Sequence, residues 1–226
     1  MLLGIDAESL RSGARRYGWA AYAISRVFAR LQSVGLHLWL VHIRPLEPEF
    51  VIPPEHAARF EFRRLAHAEA LEQSRLNPKL AMTDAFLSSA FARGDICVGA
   101  FDGGRLVAYT WRSLDRAPVD GELWLKLVRS DCRYGYKALV LTEYRGQRIN
   151  KTVRSFYDRE MAAMGIKYNV AYIDLHNLAS MRAHQGLHRE RIGIAGYFRR
   201  HRVWATFRTP AVRRYLQFVR TEESET

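Results

Sequence analysis

Cysteine is almost absent from this sequence. Cys97 and Cys132 are the only two, and no C-x-x-C spacing joins them. That excludes a disulfide framework and a cysteine-based zinc site, and it suits a reducing compartment. Long apolar runs are also missing. The longest, near "LHLWLVHI", is far short of a bilayer span. The opening "MLLGIDAESL" has neither a basic n-region nor a long apolar core, so no secretory signal is expected. No internal repeat and no low-complexity tract is apparent. Lysine is scarce, and nearly all of the cations are arginines.

What is present is an excess of positive charge. The 226 residues carry 35 Lys and Arg against 23 Asp and Glu, a net charge of +12. Two readings stand side by side: a bias toward arginine codons, or an anionic partner. Such a partner is a nucleotide cofactor, an acidic carrier protein, nucleic acid or a lipid surface. Hydrophobic residues make up 48% and charged ones 26%, ordinary for a globular domain.

Periodicity divides the chain. Residues 9–34 read as an amphipathic helix, with Leu10, Tyr17, Ala21, Ile24, Phe28 and Leu31 on one face. Arg11, Arg15, Arg26 and Arg30 lie opposite, beside Trp19 and Tyr22. Ser9 caps its start and Gly35 its end. The basic face suits either a solvated surface or a membrane or partner contact. A strand at 36–43 follows, then a connector with four prolines. A strand at 60–65 and helices at 66–74 and 83–93 come next. "ICVGAFDGGRLVAYTWRS" reads as a β-hairpin turning at Asp102-Gly103-Gly104. After a loop near Pro118 come strands in "GELWLKLV" and "YKALVLTEY". A helix after Gly146 turns Ile149, Val153, Phe156 and Met164 inward, and Gly165 stops it. "YNVAYIDLHN" is a strand, "LASMRAHQGL" a short helix and "IGIAGYFRRHRVWATFR" closing strands. The pattern is α/β, with a hairpin-rich first half and a β-α-β-α-β second half. Three regions are expected: an N-terminal helix, strand and connector (1–57), the main domain (58–214) and a C-terminal tail (215–226).

The stretch "LVLTEYRGQRINKTV" carries the chemistry. A strand runs through a turn into a helix, whose first amides lack partners and carry partial positive charge. A pyrophosphate fits there. Gly146 supports the turn, and Arg145, Arg148 and Lys151 add charge. The alternative is a helix start with ordinary exposed arginines.

The hairpin, this turn and "DLHNLASMRAH" together resemble the GCN5-related N-acetyltransferase (GNAT) superfamily over about Phe60 to Phe207. The resemblance implies a mixed central sheet splayed between two parallel strands, flanked by helices, here with an extra N-terminal amphipathic helix. It implies acetyl-CoA or a longer acyl-CoA as donor. It also implies an amine acceptor attacked directly within a ternary complex. The family motif [QR]-x-x-G-x-[GA] maps to Arg145, Gly146, Gln147, Arg148, Ile149 and Asn150. Arg148 and Asn150 stand where the family has small residues, and Lys151 follows. Backbone groups of Leu139 to Leu141 would polarise the thioester and hold the pantetheine arm. Asn177 matches the asparagine that positions the arm. His184 takes the place of the tyrosine that protonates the leaving thiolate. Asp131, Asp174 and Tyr136 are candidate bases. Asp174 and His176 are expected on one strand face, Glu143 as a brace of the turn, and Cys132 as no nucleophile. His188-Arg189 replaces the family's Gly-Phe.

The reading is therefore a cytoplasmic N-acyltransferase, with a peripheral membrane location or an acyl carrier protein donor left open. No metal is expected. The other class is a catalytically silent protein of the same fold that binds an anionic partner.

Overall fold

The computed structural model describes residues 15–183, 190–200 and 203–220. Helix α1 spans Trp19–Ser33. It is followed by β1 (Leu36–Pro45), α2 (Pro54–Ala57), β2 (Glu61–Arg64), α3 (His67–Leu76) and α4 (Asp84–Ala92). Then come β3 (Ile96–Asp102), β4 (Arg105–Ser113), β5 (Arg116–Asp120), β6 (Leu123–Leu127) and β7 (Cys132–Val140). The chain continues through α5 (Ile149–Phe156), α6 (Asp158–Ala163), β8 (Tyr168–Asp174) and α7 (Leu178–Ala183). It closes with β9 (Glu190–Arg200), β10 (Val203–Arg208), α8 (Pro210–Arg213) and β11 (Leu216–Arg220). These elements fall into two compact units, one of residues 1–43 and 172–214, the other of residues 44–171 and 215–226.

The larger unit holds the strand order β8-β7-β4-β3-β2, entered by residues 168–171 of β8. β7 and β8 are parallel, and the other neighbours are antiparallel. The β3–β4 hairpin closes through Gly103 and Gly104, at φ 57 and 81. Both values are left-handed, as a two-residue type I′ turn requires. Thr83 caps α4 by accepting from the Phe86 amide at 3.2 Å. Phe60, Phe62, Leu65, Phe101, Trp111, Ile149, Val153 and Met161 lie in one buried cluster.

A second sheet in this unit has the order β11-β6-β5. The segment read as a loop near Pro118 is the strand β5, on the edge of that sheet. Proline is tolerated there because an edge strand can spare one ladder hydrogen bond. Residues 216–220, in the expected tail, pair antiparallel with β6 from Leu216↔Leu127 to Arg220↔Leu123.

The smaller unit has β1 antiparallel to β9, and β9 antiparallel to β10. Trp39 stacks on Tyr172 with centroids 4.2 Å apart and meets Tyr197 edge-on at 5.5 Å. Gly35 sits at φ 94, and a Cβ there would meet the Arg199 carbonyl oxygen at 1.9 Å. Only glycine fits this junction. Tyr17, Ala21, Phe28 and Leu31 of the expected α1 stripe are half-buried, and the stripe departs from expectation at Ile24. Ser25 is buried and Tyr22 is half-buried, whereas Ile24 is 56% exposed. Ser9 and Leu10 lie outside the described residues.

The helix expected after Gly146 is two short helices, α5 and α6, broken at Tyr157. The break changes the register. Met161 is fully buried where Met164 was expected, and Met164 is 59% exposed. Among the described residues, no helix is long and apolar enough to cross a membrane.

Candidate active site

The site is built on β7 and the turn that follows it. Trp111 pairs with Lys137 and Arg112 with Gly135, so Tyr136 is an extra residue in β7. This β-bulge bends the strand, increases its twist and re-aims its side chains. The parallel ladder to residues 168–171 ends at Gly135↔Ala171, immediately before the bulge. β7 itself continues to Val140.

Alternation assigns the amides beyond the bulge. The Leu141 N–H donates to the Val107 carbonyl oxygen at 3.0 Å. Leu139 is opposite Tyr109 in the same register, so its amide also faces β4. Ala138 and Val140 turn theirs to the other edge. The amides of Leu139 and Leu141 are thus spent within the sheet, because antiparallel bonding uses every second residue on each side. The Val140 carbonyl accepts from Arg145 Nε at 3.2 Å.

A 3₁₀ turn over Thr142–Tyr144 leads into the helix start. Gly146 has φ 84 and Arg148 has φ 58, ψ 10. Arg148 therefore adopts the left-handed conformation at the N-cap of α5, in a place where glycine would be unstrained. Holding a Cβ residue there costs about 1 to 2 kcal/mol. Arg145, Gly146, Arg148 and Lys151 are exposed and Asn150 is half-buried. Ile149 is buried in the core, so it offers only backbone. The Lys151 amide donates to the Arg148 carbonyl at 3.0 Å. Glu143 is ion-paired to Arg105 at 2.9 Å. Its own backbone amide and then Arg105 hold its carboxyl below the usual range. The exposed turn therefore presents cations and helix-start amides, a donor set that fits a pyrophosphate.

Two residues without any motif hold this turn from behind. His56, buried in α2, has Nε2 2.8 Å from the Gln147 carbonyl and Nδ1 2.7 Å from Thr152 Oγ1. A carbonyl can only accept, so Nε2 carries the proton and donates. Arg59 donates to Gln147 Oε1 at 3.3 Å and to Asp102 at 2.9 Å. Both lie in or beside the proline-rich connector, which the sequence reading left without a role.

Tyr136 Oη donates to Asp95 Oδ2 at 2.9 Å. Arg93 reaches the same oxygen with Nη2 at 2.7 Å. Burial raises the Asp95 carboxyl above the usual range, against lowering by Arg93, Tyr136 and Ser113. Burial, then the Asp95 charge, pushes the Tyr136 phenol well up. The phenol packs against Phe86 and Tyr134. Lys137 sits 4.2 Å over the Phe86 ring, and desolvation lowers its ammonium.

No protein-family model and no curated protein matches the chain. Among solved structures, one described as an acetyltransferase of the GNAT family from Novosphingobium aromaticivorans superposes with a TM-score of 0.51 at 16% identity. The match covers 70% of this chain and 61% of that one. The fold is that of the GNAT acetyltransferases. An aminoglycoside N-acetyltransferase in complex with CoA is similar at 18% identity and TM-score 0.44, over 64% of this chain and 95% of that one. A diaminobutyrate acetyltransferase from Paenibacillus lautus reaches 15% and 0.41, over 56% and 73%. The chain spans about three fifths of the length of the first of these.

Within the GNAT fold, the remaining candidates fall as follows. Asp131 is paired with Arg129 Nε at 2.8 Å, whose hydrogen bonding holds its carboxyl below the usual range. Cys132 is buried, and desolvation lifts its thiol to about 12, which leaves little thiolate. In the smaller unit, Asp174 Oδ1 accepts from the buried Trp39 indole at 2.9 Å. β8 ends at Asp174, so the expected strand alternation does not reach His176, which sits in the following turn. Asn177 Oδ1 accepts from the Ser180 amide at 2.9 Å and starts α7. His184, His188 and Arg189 lie outside the described residues.

Proposed function

We propose that this protein is an N-acyltransferase that moves an acetyl or longer acyl group from acyl-CoA to an amine by direct attack. The observation that carries the reading is the bulged β7 running into a turn whose N-cap residue, Arg148, is forced left-handed. A strained conformation held by a core residue on one side and His56 on the other is a mark of a functional turn.

The helix-start amides of residues 149 and 150 would hold the pyrophosphate, with Arg145, Arg148 and Lys151 adding charge. The amides of Ala138 and Val140 would hold the pantetheine arm and orient the thioester carbonyl. When bound, the donor supplies that thioester. The amine nitrogen forms the new bond to the carbonyl carbon as the carbon–sulfur bond breaks. Tyr136 would accept the proton shed by the amine while its own proton passes to Asp95. Its phenol stays protonated otherwise, so it acts as a relay rather than a free base. His184 is proposed as the proton donor to the departing thiolate, and Asn177 as a positioning group for the arm. Asp174, engaged by Trp39, is the weaker candidate for base.

The test is thiol release from acetyl-CoA and from long-chain acyl-CoA across a panel of amines. Release that depends on the amine supports the reading. Thermal stabilisation by CoA without release on any amine would leave a silent binding protein.

A further inference from the structure

Beneath the break between α5 and α6 lies a cluster of cations that the acyl-transfer reading does not use. Arg112 on β4, Arg133 on β7 and Arg44 at the end of β1 are 1%, 0% and 3% exposed. They face one fully buried carboxylate, Asp158. Arg44 Nη2 donates to Asp158 Oδ2 at 2.7 Å, and Arg133 Nη2 donates to Oδ1. The Glu47 amide adds a third bond to Asp158 at 2.9 Å. Arg133 Nε donates to Asn169 Oδ1 at 3.1 Å. Arg112 Nη2 donates to the Val153 carbonyl at 3.3 Å and to the Arg154 carbonyl. Arg133 Nη2 reaches that same Arg154 oxygen at 3.5 Å. Two guanidinium groups therefore converge on one acceptor. The Nη1 atoms of both have no hydrogen-bond partner among the described residues.

The charge does not balance. Asp158 offsets one of the three buried cations, and the neighbouring Arg154 adds a fourth positive charge that acts on Arg112 and Arg44. Glu47 lies 3.5 Å from Arg44 at the partly exposed edge, away from Arg112 in the contacts it makes. The C-terminal carbonyls of α5 supply the equivalent of about half a negative charge. An uncompensated buried ion costs several kcal/mol, and arginine does not relieve it by giving up its proton. Burial and mutual repulsion act on these guanidinium groups in the same direction. Burial and the neighbouring Arg133 push the Arg112 guanidinium well down, and burial with Arg44 does the same to Arg133.

We propose that this cluster is a structural anion site, in which a small monovalent inorganic anion of the halide class sits against Nη1 of Arg112 and Nη1 of Arg133. The enclosure of both side chains excludes a nucleotide or a sugar phosphate. The donor-only character of the two Nη1 groups excludes a cation. The anion would join β4 and β7 to the broken helix, so its role is to hold the fold that carries the active-site strand.

The experiment uses the whole wild-type chain. Crystals grown in sodium bromide are expected to give an anomalous peak in contact with both Nη1 atoms. Thermal unfolding in sodium chloride against sodium gluconate, at equal ionic strength, is expected to show a saturable rise of roughly 2–5 °C with chloride. Arg112→Met is expected to lose that rise, whereas the exposed Arg26→Gln keeps it. A bromide map without a peak in the cluster overturns the proposal. So does a chloride rise that survives unchanged in Arg112→Met, since it would then be screening of a +12 surface. If Arg112→Met fails to fold, the bromide map on the wild type decides alone.

Discussion

His56 Nε2 donates to the carbonyl oxygen of Gln147 at 2.8 Å across 91 residues of sequence. Its other nitrogen meets Thr152 Oγ1, one turn into α5. One buried ring therefore grips both the turn and the helix that would hold the donor's phosphates. His56→Ala leaves two buried acceptor and donor groups without partners. Each costs about 1–3 kcal/mol. A loss of about 2–4 kcal/mol in denaturant unfolding is expected, with weaker CoA binding in calorimetry. Unchanged stability would show that water replaces the ring.

Arg148 offers a cleaner test of the turn, because backbone and side chain can be separated. Arg148→Gly removes the left-handed penalty and is expected to raise stability by up to about 1 kcal/mol. Arg148→Val adds a β-branch to the strained position and is expected to lower it by more than that. Arg148→Glu keeps the strain and reverses the charge, and is expected to weaken CoA binding at least tenfold. Binding that is indifferent to the Glu substitution would mean that the guanidinium points away from the phosphates.

The proton relay has its own signature. Tyr136→Phe is expected to lower kcat/KM by about 10²-fold or more, the typical reach of positioned acid–base groups. Loss of the phenol also removes a group that lowers the Asp95 carboxyl. With the relay cut, the acid limb that Asp95 gives the wild-type pH–rate profile is expected to disappear from the residual activity. An acid limb of the wild-type profile that persists unchanged in Asp95→Asn would remove Asp95 from the mechanism.

Stability carries the same titration with a definite sign. The folded state raises the Asp95 carboxyl, so it binds that proton more tightly than the unfolded chain. The contribution of Asp95 is thus most favourable below its unfolded value. It falls as pH rises through the window between the unfolded and folded values, then stays level. Asp131 runs the opposite way. Its folded value is lowered, so its contribution is present above the unfolded value and is lost as pH falls through the folded one. In Asp95→Asn, stability against pH is expected to lose the falling component and keep the one from Asp131. Urea midpoints across the acid range measure this.

His184→Ala is expected to lower turnover more than donor affinity. Burst and steady-state thiol release separate the two. Equal turnover in the variant would assign the thiolate's proton to another group.

Much of this was readable along the chain. The Gly103-Gly104 turn and the inward Ile149 and Val153 follow from residue type at short spacing. The turn at Gly146 and the start of α5 were legible for the same reason. Three strand-level features were not. β5 hides a proline on an edge, β11 pairs with a strand 89 residues earlier at Leu216↔Leu127, and Tyr136 is a bulge that no alternation announces. Of the stripe expected on α1, Tyr17, Ala21, Phe28 and Leu31 take their half-buried places, but Ile24 is exposed, and Met164 is exposed because the helix breaks at Tyr157, which no residue type announces.

The sequence by itself determined most of the strands and helices and the cationic turn, because local sterics and hydrophobic period act over a few residues. Only the tertiary structure decided which amides of β7 bond to β4, that Arg148 is left-handed, and that Asp95 meets Tyr136 and Asp158 meets Arg44. Those pairs lie 41 and 114 residues apart. They form because burial in a low-dielectric interior makes an unpaired charge or donor costly, and which partner answers it depends on how the sheets and helices pack.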